Sequence, residues 1–287
     1  MESNFYRFRL GQFECVSLLD GIVDYPLQTM YANVPREQVE AALRQRNLPV
    51  EVVTTPYTYP YVNTGQHRVL VDMGAGNLTP TTGRLVHSMQ SAGISPAEID
   101  SVIITHAHRD HVGGMLDDQG RLIYRHARYY IWKEEWDFWF SEGAALKTSE
   151  QFISAARKAL EPIKDQVVLI DRESEILPGV RVIPAPGHTP GHMVVLFTSS
   201  DQALFYIGDT VLQPMHLEYT DWLPVFDILP DQAMASKQRI FDLAAREHYW
   251  VLGQHFPPFP SIGKVSKLGK GWRWTPALPG QDKTGEC

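Results

Sequence analysis

Cysteine is nearly missing: Cys15, inside an apolar run, and Cys287, at the far end, are the whole supply in 287 residues. That excludes a disulfide framework and leaves packing, or bound metal, to hold the fold. No stretch approaches the roughly 20 consecutive apolar residues a membrane span requires. The start of the chain carries Glu2, Arg7 and Arg9 where a secretory leader would be apolar, so a cytoplasmic protein with no membrane partner is expected. Positive charge is in deficit, with 26 Lys and Arg against 33 Asp and Glu and a net charge of −7. A nucleic acid would have to bind against that field, and none is expected as a partner. Repeats at solenoid spacing and low-complexity linkers are also lacking. The expectation is one domain over residues 1–280, followed by a frayed polar tail over 281–287.

Short β-branched runs alternating with helical patterns are what the chain does contain, and they predict an α/β sandwich. The runs predict strands at Cys15–Leu19, Val69–Asp72, Val102–Thr105, Tyr129–Trp132, Val167–Ile170, Val180–Ile183, Met193–Phe197, Ala203–Ile207 and Tyr249–Leu252. Helices are predicted over Arg36–Arg46, Gly83–Ala92, Lys133–Phe140, Ser149–Leu160 and Asp231–Glu247, with Ser149 and Asp231 as caps and Pro35 in a first turn. Phe256–Pro260 reads as an ordered loop, because its aromatic residues give it a reason to pack.

The eleven histidines carry the chemistry. Ser101-Val-Ile-Ile-Thr-His106-Ala-His108-Arg-Asp110-His111-Val-Gly-Gly114 is a buried strand followed at once by four potential ligands, on a loop at the end of a rigid base. Three histidines and an aspartate so close together exceed what one tetrahedral ion takes from a short segment, so two ions are implied. Imidazole with carboxylate suits zinc first, then manganese, cobalt, iron or nickel, whereas calcium and magnesium want mostly oxygen. Three more candidates also follow predicted strands: His188 in Pro186-Gly-His-Thr-Pro-Gly-His192, Asp209 after Phe205-Tyr-Ile-Gly, and His255 after Tyr249-Trp-Val-Leu-Gly-Gln. His106, His108 and His188 would then serve one ion and Asp110, His111 and His255 the other, with Asp209 between them. A lone histidine after a strand is commonly structural; the cluster is what makes these ligands.

Val71–Gly76, Thr105–Gly114, Gly187–His192, Gly208–Thr210 and Gln254–Phe256 resemble, in order and spacing, the metallo-β-lactamase superfamily, and the resemblance extends over Gln12–Pro276. It implies an αββα sandwich with a dinuclear metal site at one edge of its two sheets and the ligand set just given. It also implies that Asp72 orients the ligating histidines and that His192 supports the site without ligating. A metal pair with a bridging hydroxide supplies a nucleophile at neutral pH and polarises a carbonyl or phosphoryl oxygen, so hydrolysis is expected, with Asp110 and Asp209 in the catalytic centre.

Departures narrow the branch. His108 stands where flavo-diiron relatives usually carry glutamate, and Asp209 where the commonest zinc β-lactamases carry cysteine. The helical C-terminal domain of the glyoxalase II thioesterases is not visible, which leaves a thioesterase as a weaker alternative. Acyl-homoserine lactonases share all seven ligands, but many have a tyrosine where Leu212 stands here. Methyl parathion hydrolases look closer in Phe13–Gly21, Lys133–Trp139 and the region after His255. By that resemblance Trp139, Phe152, Leu212 and His216 line the substrate pocket, while at least three of Trp132, Trp136, Phe138, Trp139 and Phe140 pack in the core. The reading is a homodimeric hydrolase of lactones or aryl esters, with phosphotriesters as a side activity. The alternatives are a main organophosphate hydrolase, an acyl-homoserine lactonase and a non-catalytic metal-stabilised binding protein.

Overall fold

The central strands carry runs of three or more consecutive apolar residues, and alternate residues of each run belong to different cores. Val69 and Val71 face one cluster while Leu70 faces another; Ile103 is likewise separated from Val102 and Ile104, and Tyr130 from Tyr129 and Ile131. Period-two alternation with both faces apolar is the pattern of sheets covered on both sides. The computed structural model describes residues 3–277, and the expected tail lies outside them.

The first sheet holds, in spatial and chain order, β1 (Phe5–Leu10), β2 (Phe13–Pro26), β3 (Val52–Asn63), β4 (Arg68–Val71), β5 (Ser101–Ile104), β6 (Arg128–Trp132) and β7 (Val167–Ile170). It is antiparallel from β1 to β4 and parallel from β4 to β7. The second holds β8 (Ser174–Leu177), β9 (Val180–Pro184), β10 (Met193–Ser199), β11 (Gln202–Tyr206), β12 (Trp250–Leu252), β13 (Ile262–Leu268) and β14 (Gly271–Pro276). Only its β11–β12 pair is parallel.

The helices are α1 (Leu27–Met30), α2 (Arg36–Arg44), α3 (Leu85–Ser91), α4 (Arg109–Val112), α5 (Lys133–Phe140), α6 (Glu150–Leu160), α7 (Met215–Glu218) and α8 (Pro230–Arg246). Val62, Val71, Ile103, Val182, Val195, Phe197 and Leu204 meet between the sheets. Leu85 and Met89 of α3, Trp139 of α5 and Ile153 and Ala156 of α6 cover the outer face of the first sheet. Ile240, Phe241 and Ala244 of α8 cover the outer face of the second. The result is the expected αββα sandwich, and no helix among the described residues is long and apolar enough to cross a membrane.

The nine predicted strands and five predicted helices are present, Val167–Ile170 and Lys133–Phe140 with the expected ends and the others with shifted ones; β1, β3, β8, β13 and β14 are additional. Pro56 and Pro60 make β3 read as broken. It nonetheless pairs with β2 along its whole length, across an irregularity between Leu19 and Gly21. The caps also differ from expectation. Ser149 precedes α6 without a side-chain capping bond, and Leu229 caps α8, with Pro230 in its first turn. Asp231 therefore acts from inside that turn, where a carboxylate still favours the helix dipole. Pro35 precedes the first turn of α2 as its cap residue.

Candidate metal centre

β4 and β5 run parallel, as do β11 and β12, and β9 points the same way as β11 because two antiparallel steps separate them. The segments leaving the C-terminal ends of these strands therefore open on one edge of the sandwich. Asp72 follows β4, His106 to His111 follow β5, His188 follows β9, Asp209 follows β11 and His255 follows β12. Parallel strand ends, set by the topology, bring together residues as far apart in the chain as Asp72 and His255.

Two groups form there. His106, His108 and His188 make one, and Asp110, His111, Asp209 and His255 the other, with ligand atoms inside each within 4.8 Å of one another. Asp209 reaches both: Oδ2 lies 3.2 Å from His188 Nε2 and 3.9 Å from His106 Nε2. Its Oδ1 lies 3.4 Å from His111 Nε2 and 3.3 Å from His255 Nε2. Asp110 Oδ2 stands 3.3 Å from His255 Nε2, and its side chain is the most open of the seven at 17% exposure. Gly208, at φ 46°, is needed because a Cβ there would sit 2.8 Å from His192 Nε2.

The donor atoms at the centre are unspent. His106 Nε2, His111 Nε2 and Asp209 Oδ1 are buried without a hydrogen-bond partner, a state that ordinarily costs about 1–3 kcal/mol per group. Unpartnered imidazole nitrogens and a carboxylate oxygen, converging in two groups that share Asp209, fit two divalent transition-metal ions.

Four of the five rings are also held from behind, which sets ring orientation and tautomer. His111 Nδ1 lies 2.8 Å from Asp72 Oδ2, His188 Nδ1 2.9 Å from Asp227 Oδ1, His255 Nδ1 3.3 Å from the Pro56 carbonyl and His106 Nδ1 3.2 Å from Thr105 Oγ1. Asp72 also accepts from Thr105 N–H and Oγ1 and from the Tyr206 hydroxyl. His192 Nε2 accepts the Asp209 N–H at 3.0 Å, so this histidine positions Asp209 from outside the two groups.

Two supports escaped the sequence reading. Glu135 on α5 is fully buried and accepts from Ala107 N–H, Trp139 Nε1–H, Thr189 Oγ1–H and Gly191 N–H, tying the His106–His111 loop to the His188 loop. Its pairing with Trp139 four residues on was the available signal. Asp227 stands in an irregular segment and gave no signal. Asp227→Ala is expected to lower metal affinity by roughly 10–100-fold, read by competition with a chromophoric chelator.

Burial, then the neighbouring imidazoles, hold His106 well below the usual histidine range, and burial and His188 push His108 down to about 3. Burial opposes protonation of the others too, but the carboxylates win. Asp209 and Asp227 raise His188 to about 9, and Asp209 and Asp110 raise His255 to about 9. The carboxylate charge here demands cationic partners, a demand that metal binding meets with release of protons.

A cavity of about 160 Å³ opens over the two groups, walled by Tyr25, Met30, Leu78, Phe152, Leu212 and Phe226 above His108, Asp110, His188, Asp209 and His255. Phe152 packs with its ring centroid 5.1 Å from that of His108, the two rings tilted by 50°. Trp139 and His216, expected in this wall, lie behind it. Trp139 is sealed between His108, 5.7 Å away, and Glu135. His216 turns its Nε2 to the Met30 carbonyl at 2.7 Å and packs on Tyr31. Trp132 is also buried, Trp136 and Phe138 pack partly buried against the core, and Phe140 is 36% exposed.

A four-layer sandwich with paired His/Asp groups at the rim of both sheets defines a class of metal-binding α/β fold. The profile of the metallo-beta-lactamase superfamily matches residues 58–255, and the chain belongs to that superfamily. The N-acyl homoserine lactonase of Bacillus thuringiensis is 25% identical over 169 residues, 57% of this chain and 58% of that protein. The match thus spans little more than half the length of these curated relatives. An atrochrysone carboxyl ACP thioesterase of Claviceps purpurea is 29% identical over 71% of this chain and 52% of its own length. Among solved structures, AidC, a dizinc quorum-quenching lactonase in complex with a product, superposes with a TM-score of 0.89 at 27% identity, covering 96% of this chain and 98% of that one.

Proposed function

We propose that the protein is a dinuclear-metal hydrolase of lactones and related carboxylic esters. The observation carrying this is Asp209, whose two carboxylate oxygens face separate histidine groups at the floor of an open cavity. Bound there, two divalent ions supply a water nucleophile at neutral pH and polarise the carbonyl oxygen.

The chain's own residues do the rest. Met30, Leu78, Phe152, Leu212 and Phe226 give the acyl or ring portion an apolar seat and exclude bulk water. Asp110 is the carboxylate most open to the cavity, and the Tyr59 hydroxyl holds its main-chain carbonyl. Its carboxylate would take the proton of the attacking water and pass it to the leaving alkoxide oxygen. Tyr59 is fixed in turn by Gln254 Nε2 at 3.3 Å, so the placement of Asp110 is built into the sheets.

The similarity to lactonases favours a lactone over a phosphotriester as the main substrate, with phosphotriester cleavage as a side activity. Both electrophiles develop negative charge on one oxygen, so one site serves both. With the zinc-loaded protein, kcat/KM for an N-acyl lactone is expected to exceed that for an aryl dialkyl phosphotriester by at least about tenfold, roughly 1.4 kcal/mol. A panel of lactones, aryl esters, a thioester and a phosphotriester measures this. A reversed ranking makes organophosphate hydrolysis the main activity, and preference for the thioester makes the protein a thioesterase.

A further inference from the structure

The end of β2 carries a phenol into the cavity wall. Tyr25 lies there beside Asp110, Asp209 and His255, its ring steadied edge-on by Phe226 at 6.1 Å between centroids. Its hydroxyl is hydrogen-bonded to that of Tyr57 on β3. Tyr57 is fully buried, with its ring edge against His255 at 4.7 Å.

Two phenols joined by one hydrogen bond hold two protons, and only one of them is used in that bond. Among the described residues neither hydroxyl has another side-chain or backbone partner. If Tyr25 donated, the Tyr57 proton would be stranded in the interior, at the cost of an unpaired buried donor. With Tyr57 donating, Tyr57 is satisfied and the free O–H belongs to Tyr25, the partner that borders the cavity. Leu212, on the wall of the same cavity, offers no donor.

We propose that Tyr25 is a catalytic residue that donates a hydrogen bond to the substrate's carbonyl oxygen as negative charge builds there. The assignment rests on the lactone and ester reading above. No bond to hydrogen breaks at Tyr25: its proton stays on the phenol, and Tyr57 polarises it by donating from behind. A donor preset toward an oxygen that gains charge acts mainly in the transition state, so its loss lowers kcat more than it raises KM.

The test compares zinc-loaded parent and Tyr25→Phe proteins of verified metal content and melting temperature. On the best lactone or ester of the panel, kcat/KM is expected to fall by about 30-fold or more, chiefly in kcat. A change within about threefold, or a loss wholly in KM, overturns the proposal. A second reading uses a lactam of the same ring size, whose carbonyl accepts the same hydrogen bond without being opened. Titrated calorimetrically, it is expected to bind Tyr25→Phe about tenfold more weakly than the parent. Equal affinity, or no binding to either protein, overturns the proposal. A parent that turns over no ester but shows this lactam difference keeps the Tyr25 donor and discards the hydrolase reading.

Discussion

Stripping the protein with a strong chelator is expected to lower lactone kcat/KM by at least about a thousandfold, roughly 4 kcal/mol of lost transition-state stabilisation. Adding zinc back should restore it. The physical reason is at the floor of the cavity. Among the described residues the cavity is lined by no serine, threonine or cysteine, whereas His106 Nε2, His111 Nε2 and Asp209 Oδ1 are buried without partners. The same removal has a readout independent of turnover. Ions at 100 times their dissociation constant stabilise the folded state by about 2.7 kcal/mol per site, which in a chain of this size raises the melting temperature by roughly 5 °C or more. Activity that survives complete metal removal, or a melting curve that does not move, would reject the dinuclear reading.

Asp209→Ala has the second largest expected effect, because this carboxylate alone lies within 4 Å of His106, His188, His111 and His255. Its loss removes the shared ligand, leaving His106, His108 and His188 with no carboxylate beside them at the centre and the other group with Asp110 as its one remaining carboxylate. Metal content is expected to drop from two ions per chain to one or fewer, by elemental analysis. The kcat/KM is expected to fall at least about a thousandfold, roughly 4 kcal/mol. Asp227→Ala serves as the graded comparison: it loosens only the ring of His188, so it should weaken binding without emptying both positions. Full metal content and near-parental rates in Asp209→Ala would show that the two groups act separately.

The candidate ligands could be read in the chain because ligand chemistry is a matter of residue type and local spacing. His106 to His111 follow a strand so closely that they share its end in any fold, Asp110 and His111 standing here on the single turn of α4. His188, Asp209 and His255 each sit just past a run that had to be a strand. The sandwich was legible for the same reason, since runs apolar at every position must be covered on both faces.

What lies behind the ligands was decided by packing. Trp139 is one side chain away from the cavity, and no sequence pattern distinguishes a tryptophan in a pocket wall from one sealed behind His108. Glu135 reads as an ordinary helix-surface acid until four donors from three segments close on it. Asp227 and Tyr25 matter only through what they face, His188 in one case and Tyr57 in the other.

By itself, then, the sequence determined the layered architecture, the supply of imidazole and carboxylate donors and the loops that carry them, because these follow from local periodicity and side-chain chemistry. The tertiary structure alone decided which oxygen of Asp209 meets which group, which aromatic residues reach the cavity and which hydroxyl keeps a proton to give. Those are distances between segments far apart in the chain, and they exist only once parallel strand ends have been brought to one edge.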